Sequence, residues 1–353
     1  MKPVYLCGRG LACTLGLGLH ASLGALRHGA VRAITRDLPG AMGSSFPYHT
    51  IPFLNDDWNA RACALVQQVV KEAGMPQQSS GALFIATSSF DIGAATGATP
   101  LDYNAFASKV AAWLAWTGPL YVISTACTSS INALLAAHAL LHAGDVDEAL
   151  VLGIELDNKI TLGGFASLQL LSPGTSQPFG LHRDGLVLGE AVAALKLSTR
   201  EISPWKLLGG ANIVDGSQQT SASASATASM YQRALAACGL SADAVDLVKV
   251  QAAGSPGNDD IEAQGLHTAF RKMPALVSLK AVMGHTMGAS GAAEIALLTA
   301  CLEHGVWPPQ PTAEMDDTLG LSLAPCAPVS VRHLMATILG FGGGHATVAL
   351  ERT

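Results

Sequence analysis

The chain has 353 residues, 49% hydrophobic and only 13% charged, which excludes a solvated tail and supplies enough apolar surface for one large core or two similar-sized ones. A formal net charge of −6, with no cluster of Lys and Arg, excludes the phosphate neutralisation that a nucleic-acid partner requires. Mean hydropathy is high at +0.35, yet the longest apolar run, 131–143, is broken by Asn132, His138 and His142 and falls short of the roughly 20 residues of a membrane span.

In chain order, residues 3–8 form a short apolar run, and the glycine-rich stretch up to 24 reads as a first strand and turn, with no small-residue cleavage signal after it. Helical spacing follows over 60–74, then a buried strand at 83–87. Strand 120–124 leads into a helix over 126–143, and 148–153 is another buried strand. In the second half, strands are expected at 245–250, 275–278 and 330–339, and helices at 229–238 and 290–304. The segment 216–229, GSQQTSASASATAS, is nearly free of large side chains and reads as a surface loop or lid. Such alternation implies an α/β fold with a mixed or parallel sheet. No charged or Pro-rich linker divides the chain, so two halves, 1–200 and 201–353, are expected to share one core. Seven scattered Cys without a CxxC pair fit a reducing cytoplasm better than a disulfide framework or zinc site.

The strongest chemical signal is 123–130, ISTACTSS, which sets Cys127 between a buried strand and a helix. A free cysteine is commonly a small buried hydrophobe. At a helix N-terminus, however, the dipole and free N–H groups favour a thiolate and can hold an oxyanion, so a nucleophile is the competing reading. His138 and His142, spaced i, i+4, could share a metal, but no third ligand suggests itself.

Five stretches in order extend this signal: TACTSS at 125–130, QPFG with RDGLVLGE at 177–190, 250–262, KAVMGHTMGASG at 280–291 followed by Glu294, and GFGG at 340–343. Over nearly its whole length the chain thereby resembles the β-ketoacyl synthases of fatty-acid and polyketide biosynthesis. The resemblance implies a thiolase-like fold of two pseudo-symmetric halves in α-β-α-β-α layers. It also implies substrates carried on the phosphopantetheine of an acyl carrier protein, with no other cofactor and no metal. Carried over, Cys127 is the nucleophile, and its N–H with that of Phe341 forms the oxyanion hole. His285 assists the malonyl thioester, supported by Lys280 and Glu294.

One stretch departs from the pattern. Where the family has a histidine in V-x-A-H-G-T, this chain reads Val250-Gln251-Ala252-Ala253-Gly254-Ser255, so Ala253 stands in the histidine's place, although Asp259 and Glu262 keep the acidic pair that follows. Alanine donates no hydrogen bond, and losing one such donor typically costs roughly 10²–10³ in rate. His345, just after the glycine turn, is a conceivable substitute. Three readings follow: a chain length factor-type partner of a complete ketosynthase in a heterodimer, as in aryl polyene systems; an active, homodimeric condensing enzyme using Cys127 and His285; or a Cys-dependent acyltransferase or thioesterase.

Overall fold

The computed structural model describes residues 2–29, 33–38, 44–53, 55, 57–76, 78–94, 102–216, 222–311 and 313–353. The first half carries β1 (Val4–Cys13), β2 (Gly16–Leu17), α1 (Leu19–Arg27), β3 (Ile34–Asp37), β4 (Ser45–His49), α2 (Trp58–Glu72), β5 (Ala82–Ala86), α3 (Tyr103–Trp113), β6 (Leu120–Ile123), α4 (Ser129–Ala143), β7 (Glu148–Glu155), α5 (Lys159–Ser167), β8 (Leu188–Gly189) and β9 (Ala191–Ser198). The second half carries β10 (Trp205–Val214), α6 (Ala224–Cys238), β11 (Leu247–Lys249), α7 (Pro256–Ala269), β12 (Ala275–Val277), α8 (Lys280–Met283), α9 (Ser290–His304), β13 (His333–Leu339) and β14 (Gly344–Arg352).

One large sheet runs in the order β12-β11-β13-β14-β10-β1-β9-β7-β5-β6. Its two ends repeat one pairing scheme. β6, β5 and β7 are mutually parallel and followed by antiparallel β9 and β1, while β12, β11 and β13 are parallel and followed by antiparallel β14 and β10. Strands such as β5 (ALFIA) and β9 (AVAALKLS) are buried at every position, as expected of strands covered on both faces. α4 packs on β5, β7, β10 and β14, and α9 on β1, β7, β9 and β13, so the sheet wraps a central helical layer. α2 covers β1 and β9 from outside, and α6 covers β10 and β14. This is the α-β-α-β-α order, and every α9 residue from Ser290 to Cys301 is buried in it.

Two expectations need correction. The stretch up to residue 24 is not only strand and turn, because α1 begins at Leu19 and packs Leu23 and Leu26 into the core. Of the presumed loop 216–229, positions 217–221 lie outside the described residues, but 224–229 is the first part of α6. The Ser223 hydroxyl caps that helix by accepting from the Ala226 N–H at 3.2 Å. Its small residues serve close packing: a Cβ on Gly265 of α7 would come within 2.5 Å of Thr227 Cγ2, so the two helices approach tightly. Among the described residues no helix is long and apolar enough to cross a membrane.

Candidate active site

The turn from β6 into α4 presents Cys127. Ala126 takes a left-handed conformation (φ 51°), a strained geometry that the surrounding hydroxyls stabilise. Thr128 Oγ1 donates to Thr125 O at 2.6 Å, Ser129 Oγ to Ala126 O at 2.6 Å, and Asn132 Nδ2 to Thr125 Oγ1 at 2.8 Å. The small, hydroxyl-rich TACTSS sequence is therefore the local hydrogen-bond set that shapes the elbow.

His285 arrives from the opposite side, in the turn after α8. Gly284 has φ +71°, and a Cβ there would meet Leu188 O at 2.8 Å, so this position requires glycine. The His285 N–H donates to Val187 O at 2.7 Å, and its carbonyl accepts from the Gly189 N–H at 3.1 Å. The RDGLVLGE stretch thus acts as a splint for the histidine turn. Its flanks are anchored by Arg183 on Asp260 and Asp316, and by Glu190 in a buried bidentate pair with Arg61 (2.5 and 2.8 Å).

The two turns meet with His285 Nε2 3.0 Å from Cys127 Sγ. His285 Nδ1 lies 3.2 Å from Lys280 Nζ, and an ammonium can only donate, so Nδ1 accepts and the ring proton sits on Nε2, facing the sulfur. Burial, reinforced by Lys280 and Lys249, holds the imidazole well below its ordinary pKa and therefore neutral. Lys280 also bonds Glu294. Burial opposes ionisation of Glu294, but Lys249 and Lys280 outweigh it and hold the carboxyl below the usual range.

The expectation of a favoured thiolate is not met in the resting site. Burial pushes the Cys127 thiol up to about 11, against the lowering effects of Lys280 and of the Phe341 and Cys127 backbone N–H groups that hydrogen-bond toward the sulfur. The helix proper begins two residues later, at Ser129, so Cys127 lies outside its first turn. The same two N–H groups, both directed at the sulfur, are the pair expected from the sequence to act as oxyanion donors.

Ala253 shares a narrow cavity of ≈ 20 Å³ with Cys127, His285, Gln251 and Phe341, so the alanine lies beside the Cys127–His285 pair. The acidic pair here organises backbone. Glu262 accepts from the Gln251 and Ala252 N–H groups, both at 2.7 Å, and Asp259 from those of Phe179, Ala253 and Gly254 at 2.9–3.2 Å. Burial raises Asp259 to about 6 and Glu262 to about 7. Both take up protons more readily folded than unfolded, so the stability they contribute is lost as pH rises from the unfolded carboxylate range through about 6 to 7. Glu262→Gln is expected to cost about 1–3 kcal/mol, since one amide N–H would then face an NH₂ group, and to flatten that pH dependence in urea unfolding.

His345 does not replace the missing imidazole. It is fully buried in β14, opposite Leu339 and Ile213, and lines neither cavity at Cys127. His138 and His142 stack with ring centroids 5.2 Å apart in a separate ≈ 720 Å³ cleft that none of the groups around Cys127 lines. Among the described residues no group of three His, Cys, Asp or Glu side chains could hold a metal. The thiol opens instead on a cavity of ≈ 290 Å³ walled by Phe165, Leu168, Met287 and Phe341, with Phe165 stacked on Phe341 at 5.4 Å. Sequence reasoning missed Lys249, which bonds Glu294 and donates to Thr337 O at 2.6 Å. The available signal was a lone cation inside the apolar strand Leu-Val-Lys-Val.

Comparison with known proteins agrees with this geometry. Residues 70–202 match the family described as β-ketoacyl synthase, N-terminal domain, and 208–314 match β-ketoacyl synthase, C-terminal domain. The highly reducing polyketide synthase alnA of Emericella nidulans is 30% identical over 263 residues, covering 66% of this chain and 11% of that protein. Nodulation protein E of Rhizobium meliloti is 27% identical over 266 residues, 70% of this chain and 66% of that one. The chain thus spans about a tenth of the polyketide synthases it matches and about two thirds of the nodulation protein. Among solved structures, the ketosynthase ApeO in complex with its chain length factor ApeC from Xenorhabdus doucetiae aligns with TM-score 0.83 at 24% identity, over 100% of this chain and 98% of that one. The ishigamide ketosynthase/chain length factor aligns with TM-score 0.87 at 21% identity, over 100% and 99%. With both ketosynthase domains matched across most of its length, and the paired cysteine and histidine turns in place, the chain belongs to the β-ketoacyl synthase family.

Proposed function

We propose that this chain is the chain length factor-type partner of a complete ketosynthase, forming with it a heterodimer that builds polyketide chains, of the aryl polyene kind or a related one, on the phosphopantetheine of an acyl carrier protein. The observation that carries this reading is Ala253 at the reacting centre. Decarboxylation of a malonyl thioester places negative charge on its carbonyl oxygen, and two donors are needed to hold it. His285 Nε2–H supplies one; the Ala253 methyl supplies none. A thiol held up to about 11 beside a neutral imidazole is also a weak nucleophile near pH 7, which fits a subunit relieved of turnover.

The open sheet edge supports a partner. β6 ends the strand order, with Leu120 and Tyr121 each 38% exposed and Tyr121 stacked on Phe84 at 4.7 Å. An unpaired apolar edge of this kind seeks another strand. Co-expressed with a complete ketosynthase of the same source, the chain is expected to elute as a one-to-one complex. Tyr121→Lys should dissociate that complex while leaving the subunit folded; an unchanged complex, or a stable homodimer formed without the ketosynthase, contradicts the assignment.

A second reading, acyl capture at Cys127 without carbon–carbon bond formation, is favoured by the 3.0 Å contact with His285 and the apolar ≈ 290 Å³ cavity at the thiol. In the heterodimer both hold together if Cys127 parks an acyl chain that the partner extends.

A further inference from the structure

Lys249 is fully buried at the end of β11, where a strand lysine has no access to water. It meets Glu294 from α9, the Thr337 carbonyl from β13, and the fields of Lys280 from α8 and Glu262 from α7. Two lysines therefore divide one carboxylate, Lys249 on Oε2 and Lys280 on Oε1. The division matters for the third N–H of Lys280. Its three donors go to Glu294, to Ser290 Oγ at 3.3 Å and to His285 Nδ1 at 3.2 Å, the last already long for a hydrogen bond. The Ser290 hydroxyl, also 3.2 Å from Nδ1, is the other donor that nitrogen can accept from, but it carries no charge to oppose protonation of the ring. Were Oε2 unclaimed, a buried carboxylate oxygen would lack a partner, and the Lys280 ammonium would be drawn between both oxygens and away from the ring.

We propose that Lys249 is a positioning residue: by occupying Oε2 of Glu294 it keeps the Lys280 ammonium on His285 Nδ1, and so fixes the imidazole as the neutral tautomer whose Nε2–H faces Cys127. The charge count agrees. Two cations on one anion leave a positive excess beside His285, which opposes a further proton on the ring. Burial, then Lys280, lower Lys249 itself to about 8, with Glu294 opposing, so its charge is present in the range where His285 would otherwise titrate. The inference rests on the Cys127–His285 geometry and not on which carrier or partner the chain serves.

The test is nuclear magnetic resonance of the full chain with ¹³C-labelled histidine, assigning His285 by its loss in His285→Ala. In the parent, the His285 ring signal is expected to remain at its neutral position from about pH 8 to about 5.5. In Lys249→Met, which leaves a one-to-one Glu294–Lys280 pair and should fold, the signal is expected to titrate with its midpoint raised by about one pH unit or more, into the observable range. Lys249→Arg should restore the parent curve. A Lys249→Met ring that stays neutral across the same range overturns the proposal, as does a parent ring that already titrates near pH 6.5. A merely structural lysine would alter the unfolding midpoint without moving the His285 titration, so fold loss and tautomer loss are read separately.

Discussion

Glu294→Leu is expected to cost about 3–5 kcal/mol in urea unfolding, a large part of the ~5–15 kcal/mol that typically holds a domain together. Glu294 bonds both Lys249 and Lys280, and all three side chains are fully buried. Removing it leaves two ammonium groups in a water-free core with only neutral acceptors, Thr337 O and Ser290 Oγ among them. At least one lysine must then deprotonate or the core must open. The sign of the pH dependence follows. Lysines without their anion have depressed pKa values when folded, so the unfolded chain binds more protons and the deficit narrows as pH rises from about 7 toward 10. Lys249→Met removes a cation whose anion keeps a second partner, so its cost should be clearly smaller. Equal losses in the two variants would mean that packing, not charge, governs the cluster.

Much of this was legible in the sequence because each feature has a local cause. Period and burial give the order of strands and helices, and 290–304 is a helix because Gly305 ends an alanine-rich run that can be buried on all sides. Cys127 was recognisable from its small-residue strand-to-helix junction, whereas His285, Lys280 and Glu294 were legible through the resemblance of 280–294 to the ketosynthase motif, and Ala253 as a departure from that family's pattern. What stayed hidden depended on long-range contacts. Lys249 and Glu294 are 45 residues apart, so the apolar run around Lys249 points to burial but not to the partner that neutralises it. The sense of the Cys127 shift depends on how deeply the elbow is buried, which the dipole argument leaves out. The Ala- and Ser-rich 224–229 looked like a loop because its residues are small, although smallness is what allows α6 to approach α7.

The ketosynthase-like site with one donor missing makes its most direct prediction about carbon dioxide. In the roles proposed for the paired side chains, 3.0 Å apart, Cys127 accepts an acyl group and His285 holds one side of the malonyl carbonyl when the purified chain is supplied with acyl-carrier and malonyl-carrier. The donor lost at Ala253 should reduce decarboxylation roughly 10²–10³-fold relative to a complete site. Adding the ketosynthase partner should restore elongation, since that subunit brings its own full set of donors. The measurement is release of labelled CO₂, together with carrier-bound product mass, for the chain alone, for the partner alone and for the two combined. The account predicts negligible release from the chain alone and full elongation from the pair. Elongated product from the chain alone, at the rate of the pair, would contradict it.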